Sequence, residues 1–173
     1  MKSDIIRIDN CGNGFADALT ETEKTAQYRE LNHKETLQLR LCTEELLSLA
    51  HSVTGEMEAT FWLESEAKAF TLHLSTKTVM DREKRSNLLA SASSRKNEVT
   101  KTFLGKLRNA FEEAMVSDVD YSIPDSAVTD LVNRSIEIPE WDEYEQSILK
   151  KVADEIKIGI RGNTVDMTVE KRF

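Results

Sequence analysis

The densest group of side chains able to do chemistry is a basic stretch between Arg82 and Arg108. It holds eight bases against two acids, a local charge of +6, while the rest of the chain carries −14. A surface of this charge suits a polyanionic ligand or an acidic protein partner. The alternative is a solvated helix face, and the sequence favours neither. The bases of interest are Arg82, Lys84, Arg85, Arg95, Lys96 and Lys101.

A second candidate is the turn Asp9-Asn10-Cys11-Gly12-Asn13-Gly14. Its glycines, placed ahead of a helix, could cradle a phosphate at the helix N-terminus. We favour the simpler interpretation of a strand-to-helix turn, with glycines at positive φ and a cap from Asn10 or Asn13. Cys11 and Cys42 have no CxxC spacing, and the three histidines have no mutual ligand spacing, so no metal site is predicted.

Length and composition narrow the classes of protein. The chain has 173 residues and a net charge of −8, which suits one acidic domain spanning 1–173 and argues against direct nucleic-acid binding. No aromatic residue lies between Arg82 and Lys101 to stack on bases. No apolar run approaches the roughly 18 residues of a membrane span, and the start Met1–Ile5 lacks a signal peptide's apolar core. We therefore expect a cytoplasmic protein that does not engage a membrane.

Hydrophobic periodicity predicts the element order β-α-α-β-β-α-α-α-β-β. The second helix begins at the cap Asn32, with Glu35 three residues later, and ends at Gly55. Alternating residues predict two antiparallel hairpins, one from Phe61 to Ser75 and one from Ile156 to Val169. The remaining helices are expected from about Phe15 to Tyr28, 81–92, Val99 to Ala114 and Trp141 to Val152.

These elements predict an α/β (α+β) fold of the two-layer sandwich type. Each strand presents one apolar face, and the helices are too numerous to form a separate bundle. We expect a mixed, mostly antiparallel sheet of about five strands covered by helices on one face. An irregular insert at about 117–139 interrupts the single domain.

The second helix carries Leu39-Arg40-Leu41-Cys42-Thr43-Glu44-Glu45-Leu46-Leu47-Ser48-Leu49-Ala50-His51. This run resembles the first conserved helix of the histidine-kinase-like ATPases, most closely the anti-sigma-factor serine-kinase branch. The C-terminal runs Ala153–Lys157 and Gly162–Val165 are similar to the closing hairpin of that branch. The element order also agrees along nearly the whole chain, except for the insert before Pro139.

The resemblance implies a base at Glu45 and an Asn magnesium ligand four residues later, but Leu49 stands there. Pairing Glu44 with Ser48 would leave a single neutral hydroxyl. The adenine-reading Asp-x-Gly-x-Gly is replaced by Thr76-Lys77-Thr78-Val79-Met80. The glycine-rich phosphate segment is reduced to Gly105 and Lys106. The basic stretch corresponds to the mobile lid over the triphosphate.

From the resemblance and these departures we expect a bacterial regulatory module that binds a sigma factor or an anti-sigma antagonist without kinase or ATPase activity. One rival is an ATP-dependent serine/threonine kinase that uses Glu45 with ATP and magnesium. Another is a domain that binds an anionic small molecule at the basic lid. The sequence leaves open whether the chain forms a homodimer.

Overall fold

A computed structural model describes residues 1–9, 11–54, 58–101 and 148–173 of the chain. Its strands are β1 (Ile6–Ile8), β2 (Ala59–Glu66), β3 (Ala69–Lys77), β4 (Glu155–Arg161) and β5 (Thr164–Arg172). Its helices are α1 (Phe15–Tyr28), α2 (His33–Thr54) and α3 (Arg82–Ser91), followed by a 3-10 turn at Glu98–Lys101. Residues 148–152 are also helical.

The five strands form one open sheet in the order β1-β2-β3-β5-β4, and every strand pair is antiparallel. Two hairpins build most of it: Ala67 and Lys68 connect β2 to β3, and Gly162 and Asn163 connect β4 to β5. Because β5 pairs with β3, the C-terminal hairpin joins the same sheet as the central one. The predicted α+β sandwich with a five-stranded, mostly antiparallel sheet is confirmed.

One face of the sheet is apolar across its strands. Strand register places paired side chains in continuous rows, because residues directly opposite one another share a face. Two such rows are fully buried, Phe61–Leu74–Met167–Ile158 and Leu63–Leu72–Val169–Ile156. Helix α2 packs on this face against β3 and β5, and α1 and α3 contact α2 in turn. The sheet and helices thus form two layers around one core.

The apolar stripe of α2 is the one that the sequence predicts. Leu39, Cys42, Leu46, Leu49 and Ala50 are each 3% exposed or less. The predicted capping box also forms, since the Asn32 N–H donates to Glu35 Oε2 at 2.8 Å and the Glu35 N–H donates to Asn32 Oδ1 at 3.0 Å. These reciprocal bonds satisfy two backbone donors at the helix start and fix where α2 begins.

The predicted Asn cap of α1 is wrong. The N-cap is Gly14, at φ 85°, and no side chain caps the helix. A Cβ at Gly14 would lie 2.1 Å from the carbonyl oxygen of Arg7, so only glycine fits this position. Asn13 instead donates its side-chain N–H to Asp9 Oδ2 at 2.8 Å.

Several sequence predictions fall outside the described residues. They are the insert at 117–139, the start of the helix from Trp141, and the helix from Val99 beyond its first turn. Within the described ranges, no helix is long and apolar enough to cross a bilayer.

The capping box gives a pH-dependent prediction. The Asn32 N–H, and then Lys68 Nζ at 3.0 Å, hold the pKa of Glu35 below its ordinary value. A depressed carboxyl pKa stabilises the fold above the ordinary pKa, and that contribution disappears as pH falls through the folded-state pKa. We expect Glu35→Gln to lower Tm at neutral pH and to match the wild type in acid. Thermal unfolding across pH measures this.

Glu66→Gln is the control for this titration, because Glu66 is an exposed acid at the end of β2. Its Tm difference from the wild type should stay small and constant with pH. A Glu35→Gln difference that persists unchanged into acid would contradict the role given to the ionised carboxylate.

Candidate functional site

Helix α2 carries the predicted base Glu45 and the predicted ligand Ser48, both half-buried. Leu49, one turn after Glu45, is 3% exposed and belongs to the hydrophobic core. A residue that faces the core cannot present a ligand to a metal in a solvent-connected cleft. The structure therefore places an apolar side chain where the resembling family has its magnesium ligand, and this arrangement follows directly from how α2 packs.

The alternative pair, Glu44 with Ser48, is also engaged elsewhere. Glu44 Oε1 accepts from Arg40 Nε at 3.1 Å, and Arg40 Nη1 donates to Glu23 Oε1 on α1 at 2.7 Å. One guanidinium thus connects two carboxylates and links α1 to α2. Ion pairs of this kind at a partly exposed surface contribute about 1 kcal/mol or less. Glu44 is part of a helix-to-helix bridge.

The segment after β3 is tied to neighbouring backbone. Thr76 is buried, and its hydroxyl donates to the Glu58 carbonyl at 3.1 Å. The Thr78 N–H donates to the Asn163 carbonyl at 2.9 Å. These bonds extend the sheet by one further contact into the β4–β5 turn. At this place the resembling family has a glycine-rich adenine loop, whereas this chain has side chains committed to the sheet.

The turn from Asp9 to Gly14 satisfies its own donors. Asp9 Oδ1 accepts from the Cys11 N–H at 2.9 Å and from the Asn13 N–H at 3.1 Å. With the Asn13 side chain, which is the strongest influence, these bonds lower the pKa of the Asp9 carboxyl. A carboxylate therefore occupies the donors that a phosphate cradle would offer. The geometry supports the strand-to-helix turn.

The basic stretch is divided by the structure. Arg82 is exposed at the start of α3, whereas Arg95 and Lys96 are exposed beyond its end. The 10-residue helix separates the two ends by about 15 Å. Lys84 is half-buried, and its Nζ lies 3.5 Å from the Val79 carbonyl oxygen. Arg85 is only 5% exposed, so it does not belong to a surface patch.

The other predicted residues of this region are at or beyond the edge of what is described. Lys101 is the last residue of the 3-10 turn. Gly105 and Lys106 lie outside the described residues, so their predicted roles in phosphate binding stay predictions.

The segment from Ser93 to Asn97 is fastened to the outer edge of β4. The Ser93 N–H donates to the Ile156 carbonyl at 2.9 Å, and the Ile156 N–H donates to Ser93 Oγ at 2.8 Å. Asn97, 5% exposed, donates from Nδ2 to the Ile160 carbonyl and accepts from the Ile160 N–H, both at 2.9 Å. We call these contacts the edge clamp. They pair backbone groups that an edge strand otherwise leaves open.

Two bases that the sequence analysis passed over join this region. Lys150 Nζ donates to the Ala90 carbonyl at the end of α3, at 2.8 Å, and Lys151 beside it is exposed. Cations are favoured at a helix C-terminus because its carbonyls carry partial negative charge. We define the basic ridge as Arg95, Lys96, Lys150 and Lys151. Adjacent lysines were the available signal, but only the fold brings them to α3.

Arg95 adopts an unusual backbone conformation. Its φ is +52°, in the left-handed region that disfavours residues with a Cβ. The edge clamp on either side and the Arg95 N–H bond to the Ala92 carbonyl at 3.1 Å hold this turn. An arginine therefore stands exposed where glycine or asparagine would be accommodated more easily.

A scan of the chain against protein-family models gives no match. A search of the curated proteins gives none either. The site must therefore be assessed from its own geometry, in which the core-facing Leu49, the edge clamp and the basic ridge are the defining features.

The remaining candidate ligands are dispersed. Cys42 is buried, and burial raises the pKa of its thiol to about 12, so it stays protonated at neutral pH. His73 stacks on Trp62 with ring centroids 4.8 Å apart, and burial lowers its pKa. His33 and His51 are exposed. Among the described residues, no three His, Cys, Asp or Glu side chains are grouped to hold a metal ion.

The edge clamp predicts a local loss of protection. Asn97→Ala removes both bonds to Ile160 and leaves buried backbone groups without partners, which costs about 2 kcal/mol. We expect lower stability in urea unfolding and faster hydrogen exchange at the Ile160 amide. The control is Ser94→Ala, because the Ser94 hydroxyl contacts only its own exposed loop. Unchanged exchange at Ile160 would contradict the clamp.

The burial of Leu49 predicts that restoring the family's ligand damages the fold. Leu49→Asn replaces a core leucine by an amide and should cost about 3 kcal/mol or more. Ser48→Asn is the matched control at the adjacent half-buried position and should cost less than about 1 kcal/mol. Urea unfolding measures both. A stable Leu49→Asn protein with a new thermal shift on adding ATP and magnesium would contradict the packing.

Proposed function

We propose that this chain is a cytoplasmic regulatory domain of the anti-sigma-factor type, related to the histidine-kinase-like ATPases and acting without phosphoryl transfer. The observation that carries the proposal is the position of Leu49 in the core. An ATPase of this architecture needs an oxygen ligand there, because Mg²⁺ is bound by carboxylate, amide or water oxygens. Function then rests on protein surfaces.

The basic ridge is the surface that we propose for partner docking. Arg95, Lys96 and Lys151 have exposed side chains, and none of them forms an ion pair among the described residues. The only acid beside Arg95 and Lys96 in the sequence is Glu98, which Ser94 contacts at 3.4 Å. A chain with a net charge of −8 repels acidic proteins in general, so a local basic ridge directs an acidic partner to one place.

The edge clamp makes this surface rigid, which bears on the mechanism. In the resembling family the corresponding stretch is a mobile lid over the triphosphate. Here Ser93 and Asn97 fix both ends of the turn that bears Arg95 and Lys96. A fixed turn loses less conformational freedom on binding, so more of its interaction energy remains as affinity. This supports docking over lid closure.

The strained backbone of Arg95 supports the same role. A left-handed non-glycine residue costs about 1 kcal/mol or more, and such strain concentrates at functional positions. Asparagine tolerates the left-handed conformation. Arg95→Asn therefore separates the side chain's role in binding from its cost in folding.

The test begins with the full chain as bait in an extract of its host. We expect a sigma factor or a phosphorylatable antagonist among the retained proteins. With that partner purified, Arg95→Asn should weaken binding about tenfold while leaving stability equal or higher, because one charge-assisted contact is lost. Calorimetric titration measures the affinity, and urea unfolding measures the stability.

The control is Lys34→Asn, which removes an exposed base in the first turn of α2, far from the ridge in sequence. It should leave the affinity unchanged. Capture of neither class of partner in repeated experiments would overturn the proposal. Equal affinity for Arg95→Asn and the wild type would overturn the docking surface.

A further inference from the structure

A cleft of about 530 Å³ lies at the end of the sheet where β1 and β3 end and β2 and β5 begin. Its polar lining includes Arg7, Glu58, Thr60, Lys77 and Thr164. This volume is in the range of small-molecule sites. The cleft is separate from the basic ridge, which borders the opposite side of β4, so an inference about it does not depend on the proposed function.

Strand register places the cations of this cleft on one face of the sheet. Arg7 is opposite Thr60, which is opposite Ser75, and Lys77 is opposite Thr164. Arg7 and Lys77 therefore project from the face that α2 does not cover. Two strand spacings across and two residues along separate their Cα atoms by about 12 Å. Both side chains are long enough to converge on one ligand.

The neighbouring acids are committed to other donors. Asp9 accepts bonds from its own turn, and Asp166 Oδ1 accepts from Ser75 Oγ at 2.7 Å. The side chains of Arg7, Lys77 and Thr164 have no hydrogen bond or ion pair among the described residues. Two cations and a hydroxyl thus line one cleft with their donors unused. An uncompensated pair of cations is a characteristic of anion sites.

We propose that this cleft binds the phosphoryl group of a small metabolite. The Arg7 guanidinium offers a planar fork of donors to phosphate oxygens, and Lys77 adds a point charge. The Thr164 hydroxyl can donate to a third oxygen. The space beyond one phosphate, given the volume of the cleft, accommodates the organic part of the ligand.

Glu58 makes the proposal sharper. It is exposed in the cleft lining, and its carboxylate has no partner among the residues that the structure describes. Its negative charge opposes an anion, so removing that charge should strengthen phosphate binding. A site for a cation would respond in the opposite way to Glu58, and a non-specific effect would respond to any change of charge.

The experiment uses the full chain and inorganic pyrophosphate as the probe, at low ionic strength. Titration is followed by amide chemical shifts, with signals at Thr60, Lys77 and Thr164 expected to move. Arg7→Gln and Lys77→Gln should each weaken binding about tenfold, because each removes one charge-assisted contact. Glu58→Gln should strengthen it. Lys34→Gln, an exposed base in the first turn of α2, should have no effect.

Each remaining outcome decides against the site. Absence of shifts with the wild-type chain at millimolar pyrophosphate would overturn it. Equal weakening by Lys34→Gln would indicate general charge attraction, which also overturns it. Weakening by Glu58→Gln would point to a bound cation. Because Arg7 and Lys77 are exposed, their variants should fold, and unshifted spectra away from the cleft verify this.

Discussion

The contact on which the rest of the structure depends is the packing of α2 on the apolar face of the sheet. Two continuous rows of aliphatic and aromatic side chains meet the stripe from Leu39 to Ala50. Each buried leucine contributes about 2 kcal/mol relative to exposure. The rotation of α2 about its axis is therefore fixed, and with it the direction of Leu49. The chemistry open to this helix is limited by that packing.

The edge of β4 is the second constraint. An edge strand with Ile156, Ile158 and Ile160 invites unwanted pairing, and the Ser93–Asn97 segment covers it with backbone and side-chain bonds. The same bonds hold Arg95 outward in its left-handed conformation. Protection of the sheet and presentation of a charged turn are thus one feature. A mobile lid would have to break the clamp each time it opened.

Periodicity and capping predict the parts of this fold that depend on local chain. The two hairpins, the stripe of α2 and the Asn32–Glu35 box all follow from residues within a few positions of one another. The edge clamp was beyond that reach, because Asn97 and Ile160 are 63 positions apart. The cap of α1 failed because Asp9 took up Asn13. The burial of Arg85 and the nearness of Lys150 to α3 likewise depend on tertiary packing.

The central claim is that α2 has no place for a metal-bound triphosphate. Its most direct test is a titration of the isotopically labelled full chain with ATP and magnesium, followed at the amides of Glu45, Leu49 and Thr78. The account predicts that these signals stay in place at millimolar nucleotide. Saturable shifts along α2 that require magnesium and vanish in Glu45→Ala would contradict it.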